Sequence, residues 1–267
     1  MEPVVRHVEP VMGTVFSFDL RPRTGQRSSV DEAIRKAVAW LHWVDATFST
    51  YRPDSQISRL GRGELRIEAC DPRVAEVLEL CEVEHAASGG YFSSIVAGRL
   101  DPSGLVKGWS IELASRLLTA HGITHHAVNG GGDVRVAGRP TPDTEWQIGV
   151  AHPLQPGALT SVVSGTDFAV ATSGTAERGA HVLDPFTGQP PTGLASVTVV
   201  GADLTRVDCV ATAAFAMGER AQPWLEQLDG FEAYAVTDTG MAWWTSGYPT
   251  YGSVPSEFAA NSELATS

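Results

Sequence analysis

Apolar residues return at three- and four-residue spacing along four stretches of the chain, and they alternate with polar ones along most of the rest. Ser29 precedes a stripe of Val30, Ala33, Ile34, Ala37, Val38, Leu41 and Val44, with Glu32 at capping-box distance. This predicts a helix that opens at Ser29. Asp71-Pro72 supplies a cap and a first-turn Pro for a second helix, whose face is Val74, Val77, Leu78 and Cys81 and which runs to Ser88-Gly89-Gly90. Ile111, Ala114, Leu117 and Leu118 mark a third, entered from a Pro-Ser-Gly loop and stopped at Gly122. Thr205 is the candidate cap of a fourth, with Val207, Val210, Ala214 and Phe215 inward and Gly218 at its end. Trp224 opens a short helical turn.

Residues 7–20 alternate and read as one strand containing Met12-Gly13-Thr14. Further strands are expected at 126–129, 134–137, 146–150, 168–171, 181–185 and 195–200, and a hairpin at 231–236 and 241–245 across Thr237-Asp238-Thr239-Gly240. Strands joined by tight turns, with a few helices inserted, predict an α+β fold of largely antiparallel sheets. No repeat and no linker-like composition break divides it. The expectation is one domain over residues 1–252 and a frayed, Ser-, Ala- and Glu-rich tail at 253–267.

The chain carries 19 Lys and Arg against 31 Asp and Glu, a net charge of -12, which argues against nucleic acid as a partner. An anionic ligand would need locally concentrated positive charge, and a divalent metal with a single Lys could provide it. The three cysteines, Cys70, Cys81 and Cys209, follow neither a disulfide nor a zinc spacing. The first residues hold no long apolar run and no early Cys for lipid attachment, and no stretch is apolar enough to span a membrane, so the expected location is cytoplasmic.

Candidate chemistry gathers in the middle of the chain. Lys107 is expected where a loop becomes a helix, beside backbone N–H groups that have no intrahelical partner, an arrangement that cradles anions; Asp101 lies at the mouth of that loop. Gly130-Gly131-Gly132 reads either as a hairpin kink or as a place where something approaches the backbone closely. Asp133 after it is then a solvated turn residue or an acceptor near hydroxyls or a metal. The glycines precede a strand, so a dinucleotide-binding fingerprint fits poorly. Asp208 and Thr212 lie four apart on one helix face, hard oxygens suited to Mg²⁺ or, the reading favoured by the spacing alone, residues selected for helix capping and back-bonding. Tyr51 is a ring that stacks on a ligand or a half-buried anchor, with the anchor favoured. His181 is a proton acceptor or an ordinary strand histidine.

In combination these segments resemble the FAD:protein FMN transferase family, the ApbE-like flavin transferases. The resemblance rests on Met12-Gly13-Thr14, Phe48-Ser49-Thr50-Tyr51 with Asp54-Ser55, Asp101 through Lys107-Gly108, Gly131-Gly132-Asp133, Thr172-Ser173-Gly174, His181 through Pro185 with Thr187-Gly188, and Asp208 through Thr212, in that order. It implies a two-lobed architecture and a Mg²⁺-dependent enzyme that takes FAD as substrate, transfers FMN to a Thr or Ser hydroxyl of a protein acceptor and releases AMP. FAD pyrophosphatase activity, or FAD binding without catalysis, are the alternatives. Met12, Tyr51, Tyr91, Phe92, Ser93, Asp101, Lys107, Asp133, Thr172, Ser173 and His181 would bind FAD. Gly104, Asp208, Ala211 and Thr212 would hold the metal, and His181, Lys107 and Asp208 would be catalytic. The chain departs from the family at Phe92-Ser93-Ser94-Ile95, where a Phe-Asp-Pro-Thr type segment is common, and in the short stretch between Ser173 and His181; its first residues do not read as the leader that exported members would be expected to carry.

Overall fold

The computed structural model describes residues 4–175 and 182–253. β1 (Val5–Val11) and β2 (Thr14–Leu20) are two arms of a hairpin rather than the single strand expected over 7–20. Val11 pairs with Thr14, and the two loop residues, Met12 and Gly13, have φ of 57° and 68°, the signs of a type I′ turn. The inward positions are odd in β1 and even in β2, and this change of phase is what a two-residue turn produces. In β1 those positions hold Val, His, Glu and Val, so the alternation there shows its phase poorly.

α1 (Arg27–Phe48) buries Val30, Ala33, Ala37, Leu41 and Val44 completely, as the stripe requires. It begins before Ser29, whose hydroxyl donates instead to the carbonyl of His121 at 2.8 Å, so the capping box expected there does not form. α2 (Gln56–Gly61), capped by Ser55, was not legible from spacing. α3 (Pro72–Ala87) starts as predicted, with the Asp71 carboxylate accepting from the Arg73 amide. A small hairpin of β3 (Ile95–Val96) and β4 (Arg99–Leu100) leads into α4 (Ser103–Ala120), closed by Gly122 at φ 82°. Lys107 is therefore the fifth residue of α4, on its second turn, rather than at the junction of loop and helix.

β5 (His126–Gly130) and β6 (Asp133–Ala137) form a hairpin around Gly131 and Gly132. β7 (Trp146–Ala151), β8 (Leu159–Gly165) and β9 (Ala169–Gly174) follow, then β10 (Leu194–Gly201). The strand expected at 181–185 is not formed over Val182–Asp184. α5 (Leu204–Met217) is capped by Asp203, which accepts from the Thr205 amide, so Thr205 is the second helical residue and not the cap. A short α6 (Ala221–Leu225) precedes β11 (Glu232–Thr237), β12 (Ala242–Trp244) and β13 (Gly252–Ser253). Apart from Ser253, the tail expected at 253–267 lies outside the described residues.

Eight strands make one sheet in the order β1-β2-β5-β6-β9-β10-β11-β12, with every described pairing antiparallel. Alternation along its central strands feeds two cores. Ala169 and Ala171 of β9 and Val197 and Val199 of β10 join α1, α4 and α5 on one face, while Val170 and Val200 point to the other. There the smaller sheet β13-β8-β7 covers them with Trp146, Val150 and Val163. β10 is buried at every position, as a strand covered on both faces must be. The hydroxyl pair of Thr160 and Tyr234 ties the two sheets together, and Ser161 pairs with Tyr248 in the turn before β13, each at 2.8 Å.

Candidate active site

The β1–β2 and β5–β6 turns meet at one end of the large sheet, because β2 pairs with β5 through Phe16 and Gly130. A Cβ on Gly131 would lie 3.0 Å from the Thr14 hydroxyl, and φ of 61° and 97° at Gly131 and Gly132 suits glycine alone at low cost. Met12, at positive φ, lies in the first of these turns, and Asp133 begins the strand that leaves the second.

Asp133 has no exposed surface, so it is not a solvated turn residue. Its Oδ1 accepts from the Thr172 amide of β9 at 3.1 Å, and its Oδ2 lies 2.6 Å from Lys107 Nζ. The same Nζ is 4.0 Å from Asp208 Oδ1 on α5. Asp208 is 3% exposed, and its Oδ2 accepts from the Gly108 amide of α4 at 2.9 Å. It thus bonds across to another helix instead of capping its own. α4 and α5 can approach this closely because residue 108 is glycine: a Cβ there would stand 2.5 Å from the Leu204 carbonyl oxygen and 2.7 Å from Asp208 Cβ. A glycine inside a helix costs about 1 kcal/mol relative to alanine, which is itself a sequence signal for close approach.

One ammonium between two carboxylates leaves the cluster with a net charge of about -1 at neutral pH, counting the ordinary ionised forms. Such a site accepts a diphosphate only with further positive charge. The oxygens next to it have the right chemistry. A Cβ on Gly104 would sit 3.8 Å from the Thr212 hydroxyl, so the first turn of α4 faces Thr212 as its second turn, at Gly108, faces Asp208, and Ala211 is buried on α5 between these two. Carboxylate, hydroxyl and carbonyl oxygens are hard ligands that suit Mg²⁺. Among the described residues no group of three or more His, Cys, Asp or Glu side chains could hold a metal ion, so any ion here would depend on hydroxyl and main-chain oxygens as well. Cys209 points its thiol at the Gly104 carbonyl, 3.9 Å away, and burial first of all pushes that thiol well above its ordinary pKa, so it remains protonated packing.

Tyr51, 94% exposed on the loop after α1, is not an anchor, and its ring is open to a ligand. Phe92 is in the core with its ring against Gly104, supporting the start of α4. Tyr91 accepts from Arg220 at 2.7 Å and meets Phe186 edge-on. The Ser93 hydroxyl bonds within its own turn, to Ile95, beside a cleft of about 510 Å³ that Phe186, His85 and Gly90 also line. Asp101 accepts from the Ser103 amide at 3.0 Å. Thr172 shares a hydroxyl contact of 2.8 Å with Thr198, and Ser173 is buried beside it on β9. His181 lies outside the described residues. Reading the sequence missed Thr198 and the role of Gly108, whose partners are distant along the chain.

The chain is similar to solved structures across most of its length. It superposes on the flavin transferase ApbE from Vibrio cholerae with a TM-score of 0.79 at 21% identity, covering 93% of this chain and 100% of that one. The ApbE protein of Thermotoga maritima gives 0.81 at 19% identity, covering 93% and 99%. Among curated sequences, the FAD:protein FMN transferase of Vibrio cholerae is 30% identical over 130 residues, 45% of this chain and 39% of that protein. The one from Rhodobacter capsulatus is 33% identical over 161 residues, 55% and 30%. The matches thus span well under half the length of these relatives. A sequence model of the ApbE family matches residues 12–99 and 96–235, a span that takes in the β1–β2 turn, Lys107, Asp133 and the Asp208–Thr212 face. With the motifs in order, the fold shared and the family match running through every element of the site, this chain belongs to the ApbE family.

Proposed function

We propose that this protein transfers FMN from FAD to a Thr or Ser hydroxyl of an acceptor protein and releases AMP. The observation that carries the reading is the meeting of Lys107, Asp133 and Asp208 within 4.0 Å of one ammonium. The names of its relatives support it.

The acceptor oxygen bonds to the phosphorus on the flavin side of the diphosphate, the bridging P–O bond breaks, and AMP departs with the bridging oxygen. The hydroxyl proton is lost to a base. Lys107, fixed by Asp133, presents its ammonium to the charge that grows on the phosphoryl oxygens. Asp133 orients that ammonium, and is itself held by the Thr172 amide. Asp208, held by the Gly108 amide, would hold a Mg²⁺ together with Thr212 and the main-chain oxygens of Gly104 and Ala211. Bound there, the ion would neutralise diphosphate charge and act as a Lewis acid at phosphorus. The exposed Tyr51 ring offers a stacking surface to a flavin or adenine.

The test is incubation with FAD, Mg²⁺ and candidate acceptor proteins, following AMP by chromatography and covalent flavin by fluorescence in denaturing gels. Matched amounts of AMP and flavinylated protein are expected, with Asp208→Ala much slower. AMP formed equally without acceptor would make the protein a hydrolase, and neither product would remove the proposal.

A further inference from the structure

Lys107, Asp133 and Asp208 belong to α4, β6 and α5, and the amide that orients Asp133 belongs to β9. Their distances depend on how these four elements are fixed to one another. One buried side chain reaches nearly all of them. Glu112, 4% exposed, lies five residues past Lys107 on α4, roughly 7 Å along the axis at about 1.5 Å per residue. Its Oε2 accepts from the amide of Leu204, the first residue of α5, and from Arg135 Nε on β6, both at 3.1 Å. Its Oε1 accepts from Arg116 Nε at 3.1 Å, and Arg116 continues to Asp203, the cap of α5, at 2.8 Å. Arg135 donates onward to the carbonyl of Phe168, just before β9, at 3.0 Å.

We propose that Glu112, through Arg135 and the Leu204 amide, is a positioning residue that sets the register at which Lys107 meets both carboxylates. Its effect on the reaction rests on the transferase reading above; its effect on geometry does not. Leu204 is one helical turn before Asp208, so a slip of α5 along its axis moves Asp208 by the same amount. The α4–α5 contact at Gly108 is close, since even a Cβ added there would stand 2.5 Å from the Leu204 carbonyl oxygen, so a slip of α5 changes this contact directly. A buried ion pair is seldom a better stabiliser than well-packed apolar side chains, but a carboxylate with three donors at fixed directions specifies register.

Glu112→Gln, which keeps the shape and loses the charge, is the first test. The amide proton resonance of Gly108, the donor to Asp208, reports the register directly and is compared with those of Val197 and Val199 in the buried middle of β10. The Gly108 resonance should move while the β10 resonances stay. The kcat for AMP release should fall about 10- to 100-fold, as for residues that orient ligating groups, with KM for FAD within about threefold, because flavin and adenine contacts are untouched. Arg135→Lys keeps the charge but loses the guanidinium fork; it should shift Gly108 in the same direction and serves if the Gln variant does not fold. An unmoved Gly108 resonance, or an unchanged kcat in an active enzyme, overturns the proposal. Movement spread equally through β10 also overturns it, since general loosening would suffice. If the wild-type protein releases no AMP, the transferase reading fails, and the Gly108 resonance still decides whether Glu112 sets the register.

Discussion

At Asp133 a carboxylate without exposed surface is held 2.6 Å from the Lys107 ammonium, and that pairing governs what substitution does. Lys107→Ala should cost about 2 kcal/mol in urea unfolding, less than for a fully buried pair because one fifth of the Lys107 side chain is exposed. It should also weaken FAD binding in a fluorescence titration; unchanged affinity would detach Lys107 from the ligand. Thr212→Ala should raise the Mg²⁺ concentration needed for AMP release, and an unchanged metal titration would remove Thr212 from the ligand set. His126 shows a separate residue-scale effect. Burial pushes its pKa down to about 4, with the Ile123 carbonyl and the Ser115 hydroxyl as partners at 2.8 Å and 2.7 Å. The unfolded chain therefore binds the extra proton below about pH 6.5 and the folded chain only near pH 4. Stability should fall by about 3 kcal/mol as pH drops through that window, and His126→Gln should flatten the slope of unfolding free energy against pH.

The elements themselves were legible to different degrees. The stripes of α1, α3, α4 and α5 were readable because a helix buries one face and leaves the other in water. β8 was not, since Thr160 and Ser161 interrupt its apolar pattern; both are buried and satisfied by tyrosine hydroxyls more than seventy residues away. The caps at Ser29 and Thr205 were misplaced because a hydroxyl at capping distance has other uses, as the bond from Ser29 to His121 shows. Two elements also set the tolerance of the site. Gly108→Ala should cost about 1–3 kcal/mol in thermal or urea unfolding, since its Cβ cannot avoid Leu204 and Asp208 without parting α4 and α5. Met12→Asn should do the opposite, gaining several tenths of a kcal/mol by placing a residue tolerant of positive φ in a type I′ turn. If Met12 contacts FAD, that more stable variant should bind FAD less well, a trade that parallel melting and titration would show.

Across the whole molecule, a net charge of -12 opposes an anionic substrate, so the association rate of FAD in stopped-flow should rise as added salt screens the repulsion. A falling rate would mean that a local positive field outweighs the total. The α+β class, the four long helices and the identities of Lys107, Asp133, Asp208 and Thr212 as the residues to watch came from the sequence alone, because periodicity, turn residues and motif order are local properties of a chain. Only the tertiary structure decided that Asp133 is buried against Lys107, that Tyr51 stands in solvent while Phe92 lies in the core, and that Gly108 joins two helices through Asp208. Those facts concern pairs separated by tens of residues or more, and their distances are set by strand order and helix packing, which no local pattern encodes.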